Sequence, residues 1–138
     1  MVLLIDTNII IDYLREREPW KESSGKILEM CSTGAVTGFV AAHTMTNLMY
    51  ILRNHYKDAD SNQQLIDLCR YLGVVGLTHS MIISALRNTE FTDKEDCLQY
   101  ECASVVDAEY IITRNVKHFE NSKIPAVTPE DFIVISPL

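Results

Sequence analysis

The residues able to do chemistry in this chain are acids and amides placed where polarity changes abruptly. Asp6 directly follows the apolar run Val2–Ile5 in the opening stretch "VLLIDTNIIIDYL". A carboxylate at the mouth of a buried strand has to be solvated, paired or bound to a cation. Asp93 and Asp96 stand three positions apart, which puts both on one side if the backbone there turns as a helix. Asn47 falls inside a helical pattern, where asparagine is a poor former and its neighbours Leu48 and Met49 are apolar. Asn115 follows a second short apolar run. Each residue also has an ordinary structural use. Asp6, Asp93 and Asp96 suit helix N-caps, Asn115 suits a turn, and Asn47 suits a satisfied amide at the core boundary.

Other chemistries lack their residues. The five glycines form neither G-x-G-x-x-G nor a G-x-x-x-x-G-K-[ST] loop. His43, His55, His79 and His118 make no H-E-x-x-H, and no G-x-S-x-G elbow occurs. Cys31, Cys69, Cys97 and Cys102 contain no C-x-x-C pair and read as reduced thiols. Hard-oxygen chemistry remains, with carboxylates and amides as the ligand set of Mg²⁺ or Mn²⁺.

The elements that must position these groups fit one domain over residues 1–138, with a composition 47% hydrophobic and 22% charged. The net charge of -7 argues against a general nucleic-acid coat protein. It leaves room for a nuclease, because a cation held by carboxylates reverses the local field. No apolar run approaches the ~20 residues of a membrane span, and no basic, cleavable leader is present, so the expectation is a cytoplasmic protein without membrane contact.

Short apolar runs predict strands over Val2–Ile5, Ala35–Val40, Val74–Leu77, Tyr110–Thr113 and Ala126–Val127. Helical spacing predicts helices over Ile9–Arg15, Trp20–Cys31, His43–Asn54, Ser80–Leu86 and Asp96–Val106, the last with Leu98, Cys102, Val105 and Val106 inward. A further helix carries Leu65, Leu68, Cys69 and Leu72 and ends at Gly73. Glu90–Glu95 reads as an acidic loop, Val116–Phe119 as one turn and Thr128–Asp131 as a capped turn. Strands alternating with helices call for a parallel sheet covered on both faces. Ligands of such sheets bind beyond the carboxyl ends of the strands, where the topology reverses. Asp6 stands at one such end, and Thr113-Arg114-Asn115 at another.

In that order and spacing, "LLIDTNIIIDYL", "HTMTNLMYILR", "DKEDCLQYECA" and "YIITRNVKHF" resemble the PIN-domain family, and within it the bacterial PilT/VapC-like proteins. The resemblance implies an α/β fold: a three-layer α/β/α sandwich with a mostly parallel sheet of four to five strands. It implies a Mg²⁺- or Mn²⁺-dependent ribonuclease, acting as a toxin restrained by a small antitoxin protein, and a homodimer. By position, Asp6 and Asp96 become the catalytic metal ligands, with Asp93 as an auxiliary one. Thr7, Asn8 and Thr113 match small polar positions lining the family's site. Two positions depart: Asn47 stands where the family usually has glutamate, and Asn115 where it often has aspartate. These amides would offer neutral oxygens or orient waters, and fewer charges mean weaker metal binding. Arg114 and Lys117 are placed either to contact an RNA backbone or to serve as solvated surface charges. A rival reading keeps the scaffold as an RNA- or protein-binding module with attenuated cleavage. A small-molecule phosphatase reading rests on fold analogy alone.

Overall fold

Val2–Ile5 forms β1 at the centre of the sheet, with Leu3 and Ile5 in one core and Leu4 in the other. Burial on both faces is what an apolar run without alternation requires. The computed structural model describes residues 1–53 and 59–136. Around β1 stand β2 (Thr37–Ala41), β3 (Leu72–Val75), β4 (Tyr110–Ile112) and β5 (Ala126–Val127), in the order β3-β2-β1-β4-β5. Every pairing is parallel, so the sheet expected to be mostly parallel is wholly so.

Parallel neighbours need crossovers, and helices supply them on both faces. On one side α1 (Thr7–Leu14), α2 (Lys21–Ser32), α3 (Ala42–Ile51), α4 (Ala59–Leu68) and α7 (Pro129–Ile135) contribute Ile9, Ile27, Leu48, Leu65 and Phe132 to the core beneath Leu3 and Ile5. On the other, α5 (His79–Arg87) and α6 (Lys94–Val105) pack Met81, Ala85, Cys97 and Cys102 against Leu4 and Ile111. The three-layer α/β/α arrangement follows. No helix among the described residues is long and apolar enough to cross a membrane.

Several boundaries move. Helical spacing runs on through Leu72, yet α4 ends at Leu68, and Leu72 and Gly73 pair with Gly38 and Phe39 in β3. Gly73 is therefore no helix cap: a Cβ there would stand 2.6 Å from the Phe39 ring. The helix expected to reach Asn54 ends at Ile51, and Asn54 itself lies outside the described residues. Lys94 and Glu95 belong to α6 rather than to a loop, because Asp93 caps the helix. Val105 is exposed rather than inward.

From β1 the chain builds outward through β2 and β3, then crosses back to place β4 and β5 on the opposite side. The topology thus reverses between β1 and β4, and the crevice beyond their carboxyl ends is where a ligand is expected.

Candidate active site

Asp6 continues the sheet by one residue, its N–H donating to the Ile112 carbonyl at 2.9 Å, and then caps α1. Its structural and chemical uses coincide. The residue is only 6% exposed, and its carboxylate is held from several directions. Oδ1 accepts from the Thr7 N–H at 2.7 Å and from Gln99 Nε2 at 3.3 Å. Oδ2 accepts from the Thr113 hydroxyl at 2.7 Å and from Asn8 Nδ2 at 3.4 Å. Burial pushes this carboxyl above its ordinary value, while the bonds from Thr113 and Thr7 favour the ionised form.

The second group of acids comes from the start of α6. Asp93 Oδ1 accepts from the N–H groups of Glu95 and Asp96 at 2.8 and 3.1 Å, satisfying two of the helix's orphan donors. Asp96, in the first turn of that helix, lines the same cleft as Asp6. Burial, then the charges of Asp93 and Asp6, push the Asp96 carboxyl up to about 6, against the pull of His118. His118 Nδ1 lies 3.1 Å from Asp96 Oδ2. One helical turn on, Gln99 is 1% exposed and also donates to Thr44 Oγ1 at 2.9 Å.

Asp6, Thr7, Asn8, Asp93, Asp96 and Asn115 line one cleft of about 270 Å³, together with Glu95, Gln99 and His118. Thr113 is fully buried behind Asp6 and also accepts from the Asn115 N–H at 3.0 Å. Asn47 stands outside the lining and reaches the site through Glu95, to which its Nδ2 donates. Arg114 and Lys117 are not in the lining. The Arg114 guanidinium turns away to grip Asp12, with Nε 2.5 Å from Oδ2 and Nη2 3.2 Å from Oδ1, and stacks 4.1 Å over the Trp20 ring. Lys117 is exposed on the 3-10 turn Val116–Phe119.

Sequence reading missed Glu95, Gln99, His118 and the buried Asp12. A signal for Gln99 existed: Asp93, Asp96 and Gln99 recur every three residues, which stacks them along one helix side. Asp12 gave none, because it sits among apolar residues in a helix of mixed polarity.

Among the described residues, no group of three His, Cys, Asp or Glu side chains stands at metal-ligand spacing. The described residues thus form no closed, all-protein cage of the zinc type. The donors present fit a different ion. Mg²⁺ is held by one or two carboxylates and keeps most of its waters, and Asp6 and Asp96 supply such a pair in one cleft. Asp93 keeps Oδ2 clear of its capping bonds.

The fold has counterparts among solved structures. VapBC2 from Rickettsia felis, bound to a DNA fragment from its promoter, superposes with a TM-score of 0.68 at 16% identity, over 93% of this chain and 98% of that one. A toxin-antitoxin complex from Klebsiella pneumoniae gives 0.68 at 23% identity, covering 92% and 97%. FitAcB from Neisseria gonorrhoeae gives 0.67 at 16% identity, covering 94% and 99%. No curated protein sequence matches the chain. The profile of the PIN domain matches residues 2–117, which carry all of the cleft's acids. With its wholly parallel sheet and its acids gathered at the β1/β4 reversal, the chain belongs to the PIN-domain family.

Proposed function

We propose that this chain is a divalent-cation-dependent endoribonuclease that hydrolyses RNA phosphodiesters, and that it serves as the toxin-like partner of a small antitoxin protein. One observation carries the reading. Asp6 and Asp96, ninety positions apart in sequence, line the same cleft at the sheet's reversal point, each with its carboxyl pushed up. Family membership and the toxin-antitoxin assemblies among the structural counterparts support it.

An acidic cleft on a chain of net charge -7 repels a phosphodiester. Asp6 and Asp96, with Asp93 beside them, are the groups that would hold Mg²⁺ or Mn²⁺ there. Such an ion, when bound, offsets phosphate charge and lowers the pKa of an attacking water. The chain's own residues do the rest by position. Thr113, Thr7, Asn8 and Gln99 fix both oxygens of Asp6, so its geometry is set before any ligand arrives. Asn115 offers an amide donor to a phosphate oxygen at the rim. Lys117 remains the candidate backbone contact, since Arg114 is committed to Asp12.

The test is an RNA panel incubated with wild type and Asp6→Asn in Mg²⁺, Mn²⁺ and chelator. Wild type should cleave only with metal. Asp6→Asn should fold, melt no lower than wild type in chelator, and cleave at background. Undiminished cleavage by Asp6→Asn, or wild-type cleavage in chelator, would refute the proposal. RNA binding without cleavage would turn the reading to the binding scaffold.

A further inference from the structure

Asn47 and Glu95 are joined across two helices by a hydrogen bond from the amide Nδ2 to Oε1. Glu95 is not needed to cap its own helix, because Asp93 does that and already receives the Glu95 N–H. An acid in a helix's first turn gains from the macrodipole while its carboxylate extends into water. Here the carboxylate, still exposed, is tied to α3 and lines the cleft with Asp6, Asp93 and Asp96. The gathering has an electrostatic cost, since Glu95 is among the groups raising Asp6.

A second observation points to a ligand. Gln99 lines the same cleft, is 1% exposed, and spends its Nε2 on Asp6, Thr44 and Thr7. The amide nitrogen faces three oxygens, one of them the Asp6 Oδ1 that already accepts from the Thr7 N–H, and this sets the orientation of the amide. Gln99 Oε1 is left as a buried acceptor without a donor among the described residues. A neutral carbonyl beside carboxylates is the acceptor that a hard cation or its water shell satisfies.

We propose that Glu95, oriented by Asn47, is a further carboxylate of the cation site, acting on the ion's water shell rather than as a third direct ligand, so that the negative charge absent from α3 is supplied from α6. This rests on the divalent-cation reading above. Asn47 is then a positioning residue rather than a degraded ligand.

The test is Mn²⁺ titration calorimetry on wild type, Glu95→Gln and the double variant Asn47→Glu/Glu95→Gln, with thermal melts in chelator and in Mn²⁺. Glu95→Gln keeps the oxygen that Asn47 donates to and removes only the charge. It should bind Mn²⁺ at least about tenfold more weakly, and melt no lower than wild type in chelator. Moving the carboxylate to α3 in the double variant should recover most of that affinity. The inference is overturned if wild type binds Mn²⁺ and Glu95→Gln binds it within twofold, or if the double variant is no better than Glu95→Gln. Absence of Mn²⁺ binding by wild type would instead remove the divalent-cation reading, and this inference with it.

Discussion

Arg114→Ala should cost more stability than any ordinary surface arginine. Asp12 is fully buried on α1, and the two bonds from Arg114 are its ion pair. Removing one partner of a buried pair costs about 3–5 kcal/mol, because the other charge stays buried and uncompensated. The Arg114 side chain is itself 24% exposed, so water can enter the space it leaves, and the lower half of that range applies. Loss of the stacking over Trp20 adds about 1 kcal/mol. The expected total is about 4–5 kcal/mol, read as a lower urea midpoint at unchanged slope in a circular-dichroism titration. Arg114→Lys should recover little, since an ammonium cannot bridge both Asp12 oxygens or stack flat on an indole. Asp12→Asn/Arg114→Met, which removes both charges and keeps the volume, should recover more than half of the loss. A cost below about 1 kcal/mol for Arg114→Ala would show that the buried Asp12 does not depend on this pair, and would return Arg114 to the list of RNA contacts.

Asp96→Asn, measured in chelator, should raise stability at pH 7 by up to about 3 kcal/mol. The folded carboxyl is raised from 3.8 to about 6, so its ionisation penalty is absent below pH 4, grows between the two values and is constant above. The gain of the variant should therefore vanish as pH falls to 4, and a gain independent of pH would contradict the assignment. Saturating Mg²⁺ should reverse the ranking, as only wild type gains from the ion. Gly38→Ala should lower the thermal midpoint by an amount equivalent to about 1–3 kcal/mol. Its Cβ would stand 2.6 Å from Cys31 Sγ and 2.8 Å from Leu72 Cδ2, and Cys31→Ala alongside it should relieve part of the loss. An unchanged midpoint would show that β2 shifts freely.

How far the sequence discloses this arrangement depends on what each residue competes with. Val2–Ile5 and Tyr110–Thr113 read as strands because both are short apolar runs ending in a polar break, and the structure keeps the first whole and ends the second at Ile112. Leu72 misleads because it completes a helical repeat with Leu65 and Leu68, while its pairing with Gly38 is a tertiary fact invisible in local spacing. Asp6 is legible as a site residue from the strand that precedes it. Glu95 is not: without the Asp93 cap it is one more acid in a polar stretch, and its turn toward Asn47 depends on where α3 lies. Arg114 looks like a substrate contact for the same reason, as nothing in "YIITRN" announces a buried partner on α1.

The pairing of β1 with β4 also sets a clock. Thr113 reaches Asp6 across 107 positions of chain, and closing a loop of that size costs on the order of 4 kcal/mol before any contact rewards it. Such long-range parallel pairing is the slow part of folding. Until it occurs, one edge of the apolar strand β1 is open to other chains, and the Asp6 carboxylate lacks the hydroxyl that holds it. A growing polypeptide thus carries its acids as separate, unassembled pieces until residues through His118 have emerged. The cleft is complete only once α6 and the end of β4 have joined β1.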